Sequence, residues 1–173
     1  MTASPTPILG DPRGEVPSER VTSSPAGPDG LPGPADFPVL RRQQTRWADN
    51  DVYGHVNNVV YYSLFDTTVN GWLIEATGTD IRALPAVGVV AETSCRYLRQ
   101  LSYPETLHIG LGLERLGRSS VVYRLAVFRE EVDGTLDESP HALGRFVHVY
   151  VDATTRRPHP IPEIVRNAMA ELA

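Results

Sequence analysis

One pattern constrains this chain more than any other. After a single long helical stretch come four stretches in which apolar side chains alternate, separated by turns and loops. Val87–Leu98 sets Val89, Ala91, Thr93, Cys95 and Tyr97 on one face, with Glu92, Ser94 and Arg96 on the other. Thr106–Leu116 aligns Leu107, Ile109, Leu111 and Leu113, and Val121–Glu131 aligns Val121, Tyr123, Leu125 and Val127. His141–Val151 carries Leu143, Val147, Val149 and Val151 in register. Alternation at every second residue is the mark of a strand with one buried face. Connections as short as Gly117-Arg118-Ser119-Ser120 make these strands antiparallel neighbours.

The helical stretch is Asn57–Ala76. Val60, Leu64, Thr67 or Thr68, and Trp72 recur at spacings of three and four, and Val59, Tyr62 and Phe65 widen the stripe. Asn57 or Asn58 is the candidate N-cap, and Gly78 closes the segment. Residues 41–47 read as a first strand. A Pro-rich exit ending at Pro162 leads to a short helix, Glu163–Leu172. One long helix against one antiparallel sheet is an α+β layer architecture. A chain of 173 residues, 41% of them hydrophobic, can give that architecture one core of its own.

Composition breaks near residue 38. Residues 1–38 hold 9 of the 15 prolines and few large apolar side chains, too few to offset the entropy of ordering them. The reading is a disordered Pro/Gly/Ser-rich tail, 1–38, ahead of one folded domain, 39–173. A net charge of −5 argues against a nucleic-acid or anionic-membrane binder, which needs a basic face. The one cysteine, Cys95, excludes an intrachain disulfide and a multi-cysteine zinc site. No apolar run reaches the ~18–20 residues of a membrane span, and the N-terminus lacks the features of a secretory signal, so a soluble cytoplasmic protein is expected.

The densest polar cluster runs from Trp47 to Asn58, where a strand hands over to the long helix. The first N–H groups of a helix lack intrahelical partners and carry the positive end of its dipole, so they can bind a developing oxyanion. A carboxylate just upstream can attack the same carbonyl or activate a water. Asp51 is placed for this, and Asp49 shares its face if the chain stays extended. A plainer role also suits these residues, since Asp and Asn before a helix commonly satisfy local backbone N–H groups. Asp49, Asp51 and His55 have the donor types of a divalent-metal site, but no further carboxylate or His lies nearby in sequence.

The string Arg46-Trp47-Ala48-Asp49-Asn50-Asp51-Val52-Tyr53-Gly54-His55-Val56-Asn57-Asn58, followed by Tyr61-Tyr62 and Phe65-Asp66, resembles the N-terminal motif of hotdog-fold acyl-CoA thioesterases. The nearest group is the 4-hydroxybenzoyl-CoA thioesterase-like family. The likeness continues at Glu92–Arg99 and at Leu116–Ser120, and covers about residues 40–155. It implies the hotdog fold, a long central helix wrapped by a curved antiparallel sheet.

It also implies roles. Asp51 matches the catalytic carboxylate, as nucleophile or general base. The N–H groups of Asn57, Asn58 and Val59 match the helix start that holds the thioester oxygen. His55 and Asn57 match motif positions of variable role. Asp66 is the rival carboxylate, since a related subgroup uses an acid on the helix. Arg118, Ser119 and Ser120 match the turn that meets CoA, and Arg96 and Arg99 offer charge to its nucleotide end. The implied reaction is acyl-CoA hydrolysis with no metal or cofactor, CoA being part of the substrate. A single hotdog per chain implies a homodimer or homotetramer with sites between subunits. Tyr61, Tyr62, Phe65, Val69 and Trp72 are acyl-pocket candidates that also suit a plain core. The rivals are a hotdog hydratase or dehydratase, an acyl-carrier-protein thioesterase, and a non-catalytic acyl-CoA binder. The hydratase motif Asp-x-Asn-Pro-x-His differs from this sequence, where Asp51 to His55 is a step of four with no proline between.

Overall fold

The computed structural model describes residues 29–173. Five strands form one antiparallel sheet in the order β1-β3-β4-β5-β2: β1 Val39–Gln44, β2 Ala86–Tyr97, β3 Thr106–Leu116, β4 Ser120–Arg129 and β5 Ala142–Asp152. Helix α1, Asn58–Thr77, lies across one face, and the short helix α2, Glu163–Ala170, packs beside it. This is the hotdog arrangement. No helix among the described residues is long and apolar enough to cross a membrane.

Local chemistry fixes α1 at both ends. The Asn57 side-chain oxygen accepts from the N–H of Val59 at 3.1 Å, which makes Asn57 the N-cap. At the other end Gly78 adopts the left-handed conformation and its N–H returns to the Ile74 carbonyl. Tyr61, Leu64, Phe65, Thr68, Val69, Trp72 and Leu73 are buried, at the spacing that puts them on one stripe. They meet Leu107, Ile109, Leu111 and Leu113 of β3, and Val121, Tyr123, Leu125 and Val127 of β4, in one core cluster. Thr68 is the polar member of the stripe, and Gln43 of β1 donates to its hydroxyl at 2.7 Å.

Two expectations need correction. On β5 the side chains facing α1 are Ala142, Gly144, Phe146, His148 and Tyr150. Leu143, Val147 and Val149 take the outer face, so alternation gave the period of β5 but not its core side. The second correction concerns the tail. Its first 28 residues, and the expectation of disorder there, lie outside the described residues. The chain just before β1, however, is packed rather than loose. A short 3-10 turn at Pro34–Asp36 lays Phe37, 6% exposed, across the outer face of the sheet against Ala126 and Phe128. Arg124 caps this contact, with its guanidinium 4.7 Å from the Phe37 ring centroid and donating to the Asp36 carbonyl at 2.6 Å. Gly110 makes room, since a Cβ there would lie 2.6 Å from the Phe37 ring.

Edge strand β2 contrasts with the rest. It is 12 residues long and exposed along most of its length, Val90 and Tyr97 included. An exposed edge of that length is a ready template for pairing with another strand.

Candidate active site

The polar cluster before α1 folds into a tight turn. Asp51 N–H donates to the His55 carbonyl at 2.8 Å, and Gly54 N–H donates to the Asp51 carbonyl at 3.1 Å. Gly54 has φ +82°, a conformation that costs a side-chain-bearing residue strain. The Asp51 Oδ1 atom accepts from Tyr53 N–H at 2.8 Å and from His55 N–H at 3.4 Å. Its Oδ2 atom has no hydrogen bond among the described residues. The turn thus holds the acid by one oxygen and presents the other.

Asp49 is occupied otherwise. It is 3% exposed and accepts from the Arg46 backbone N–H at 2.7 Å and from its guanidinium at 2.7 Å. Burial pushes its carboxyl up, but the Arg46 hydrogen bonds outweigh that and hold it below the usual range. Asp49 is a structural partner of Arg46, and its carbonyl also takes the Asn57 N–H at 2.8 Å. Among the described residues no three Asp, Glu, His or Cys side chains are grouped as a metal ion would need.

The helix start is more selective than its sequence implies. Of the three N–H groups expected to face an oxyanion, that of Asn57 goes to Asp49 and that of Val59 to the Asn57 cap. Only the Asn58 N–H has no acceptor among the described residues. Asn58 and Asp51 line the same cleft of about 310 Å3, with His55, Val56, Tyr61, Tyr97, Leu98, Arg99, Gln100 and Leu101. Tyr97 ties edge strand β2 to the helix start, since its hydroxyl donates to the Asn58 carbonyl at 3.2 Å. Its ring stands edge-on to Tyr61 with centroids 5.1 Å apart. Burial raises the Tyr61 phenol to about 12 and raises that of Tyr97 as well, so both stay neutral donors at ordinary pH.

The other candidates fall elsewhere. Arg99 lines the cleft. Arg96 is exposed on β2, one residue before Tyr97 and so on the opposite face of the strand, and is not part of the cleft lining. Asp66 is exposed on α1, bound by Asn70 at 3.0 Å. Eight residues along the helix set it about 12 Å from Asn58. The turn at Arg118, Ser119 and Ser120 lies at the far end of the sheet. Ser120 is level with Val149 of β5, and Val149 with Val89 of β2, whereas the cleft is level with Tyr97. Eight residues of β2 separate the two, about 25 Å. Tyr61 of the apolar candidates reaches the cleft; Phe65, Val69 and Trp72 are core. Of the wall at Leu98–Leu101 the sequence reading named Arg99 alone; its neighbours follow β2 without a periodic signal.

Asp51, Asn58 with its free N–H, and Arg99 line one cleft on a sheet that has the hotdog fold of thioesterases. The family model described as the thioesterase-like superfamily matches residues 45–169, and the chain belongs to that superfamily. Among solved structures, the PA5185 protein of Pseudomonas aeruginosa is 44% identical, with TM-score 0.74 over 82% of this chain and 95% of that one. More distant structures share the fold. Slr0204, a 1,4-dihydroxy-2-naphthoyl-CoA thioesterase from Synechocystis, is 14% identical with TM-score 0.68, covering 79% of this chain and 96% of that one. SAV2348 from Staphylococcus aureus, solved in complex with CoA, is 20% identical with TM-score 0.66, covering 77% and 82%.

Proposed function

We propose that this chain hydrolyses acyl-CoA thioesters, with Asp51 as the reacting carboxylate and the Asn58 N–H as the helix-start donor to the thioester oxygen. The observation that carries this reading is that Asp51 and Asn58 line one cleft. Charge grows on the thioester oxygen as the carbonyl is attacked, and a fixed N–H dipole stabilises it with little reorganisation. Asp51 then follows one of two routes that share this geometry. As nucleophile it forms a mixed anhydride and releases the CoA thiolate, and water cleaves the anhydride. As general base it takes a proton from a water that attacks directly. Either route turns one thioester and one water into one acid and one thiol. Arg99 supplies positive charge for the anionic part of CoA.

The active form in this reading is a dimer built on β2. Two β2 edges paired antiparallel reverse end for end. Each Tyr97 then lies beside the partner's Ala86 end, the end of the sheet that also carries the partner's Arg118–Ser120 turn. This pairing reunites candidates that a single chain holds about 25 Å apart. It would also bring Asp66 of one subunit nearer the other's cleft. The CoA bound to SAV2348 supports CoA esters as the ligand class.

A thiol-release assay over short, long, branched and aryl acyl-CoAs tests the reading, with free acid measured in parallel. Equal amounts of acid and CoA are expected from at least one ester. Binding of CoA with no release from any of them would leave a non-catalytic binder instead.

A further inference from the structure

His141, the residue just before β5, is 3% exposed and does not line the cleft, yet three successive residues of the cleft wall hang on it. Its carbonyl accepts from the N–H of Leu98 at 2.9 Å and of Arg99 at 3.0 Å. Its ring Nδ1 lies 3.1 Å from the Gln100 carbonyl oxygen, and its Nε2 lies 2.6 Å from Asp137 Oδ2. The wall itself leaves the sheet after Tyr97, the last paired residue of β2. Its path is therefore set by these bonds and by one more, from Val56 N–H to the Leu101 carbonyl at 2.8 Å.

Both atoms facing the His141 ring are oxygen acceptors, the Gln100 carbonyl and the Asp137 carboxylate, and one ring nitrogen stands against each. The same carboxylate lies 3.6 Å from the guanidinium groups of Arg99 and Arg129, and Arg99 also donates to the Ser139 carbonyl. Burial pushes the Asp137 carboxyl up, but His141 and the two arginines outweigh it and hold that group below its ordinary range. The Arg99 guanidinium thus stands where Asp137 and Ser139 place it, on a backbone that stands where His141 places it.

We infer that His141, oriented by Asp137, is a positioning residue for the cleft: it holds Leu98, Arg99 and Gln100 at a fixed distance from the helix start, and so sets the affinity for the anionic part of the ligand. The inference rests on the acyl-CoA reading, because that reading supplies the anion. Alignment is what matters here, since a charged contact left loose by an ångström loses much of its worth.

The test is a double-mutant cycle in the full chain, with free CoA as the probe and titration calorimetry as the readout. His141→Gln weakens CoA binding about tenfold, as coupled neighbours do, and Arg99→Ala weakens it as well. The double variant binds no more weakly than Arg99→Ala alone, because His141 acts through Arg99. In turnover, the His141→Gln loss appears in KM and leaves kcat within about twofold. Additive losses, an unchanged CoA affinity in His141→Gln, or equal falls in kcat and kcat/KM overturn the inference. If His141→Gln does not fold, Asp137→Asn takes its place in the cycle under the same criteria. A wild-type chain that binds no CoA removes the acyl-CoA reading and this inference together. Wild-type binding with an additive cycle removes the inference alone.

Discussion

The Asp51 carboxylate accepts the backbone N–H of Tyr53 at 2.8 Å, and that bond aims the acid. One carboxylate oxygen is used to shape the turn before α1, the other has no hydrogen bond among the described residues, and Asp51 lines the cleft that Asn58 shares. The bland role for such an Asp, satisfying local backbone donors, and the chemical one are therefore not rivals here. A carboxylate has acceptor sites enough on its two oxygens for both.

Acid sensitivity should trace in part to His148. Burial lowers its ring to about 4, with Asp66 opposing the shift, and its Nε2 has no partner among the described residues. A folded-state value below the unfolded ~6.5 means that the unfolded chain takes up the proton first. The group therefore has no effect above about pH 6.5, and its cost grows as pH falls toward 4, to on the order of 3 kcal/mol. Chemical denaturation of wild type and His148→Leu at several pH values checks this. The two curves should diverge below pH 6.5, with the variant flatter; parallel curves would contradict it.

The contact between Phe37 and Gly110 should show strong coupling. Phe37→Ala removes a buried ring from the outer face and costs on the order of 3 kcal/mol. Gly110→Ala drives a Cβ into that ring, 2.6 Å away, and destabilises the otherwise wild-type chain. In the Phe37→Ala background the same change meets open space and costs little. Thermal unfolding of the two single variants and the double variant measures the coupling, and simple additivity would argue against the packing described.

How much of this was legible in the sequence depended on distance along the chain. Local rules placed β3 at Thr106–Leu116, α1 within a residue at each end, and the N-cap at one of two asparagines. Spacing placed Asp51 and Asn58 at the same strand-to-helix junction. What the sequence hid was long-range. Phe37 sits in a Pro-rich stretch with no period, and its partners Gly110, Arg124 and Phe128 lie more than seventy residues on. The wall at Leu98–Leu101 takes its shape from His141, which reads in sequence as one more strand residue. The competition for helix-start N–H groups was hidden too, because it depends on where the Asp49 carbonyl folds back.

Edge strand β2 supplies a test of assembly. In the proposed dimer, Val90→Lys places a cation on each facing edge and opposes pairing. Sedimentation should show the mass falling to that of one chain, and turnover should fall with it although Asp51 and Asn58 are untouched. A monomeric variant with wild-type turnover would show that one chain makes the whole site.

The most direct measurement is turnover of Asp51→Asn on any acyl-CoA that the wild-type chain hydrolyses. Asn keeps an oxygen for Tyr53 and His55, so the turn and the melting temperature should hold, while kcat falls by at least about 10²-fold. Asp49→Ala serves as the contrast, since losing the Arg46 pair should lower stability by on the order of 2 kcal/mol. A folded Asp51→Asn chain with near-wild-type turnover would contradict the central claim that this carboxylate does the chemistry.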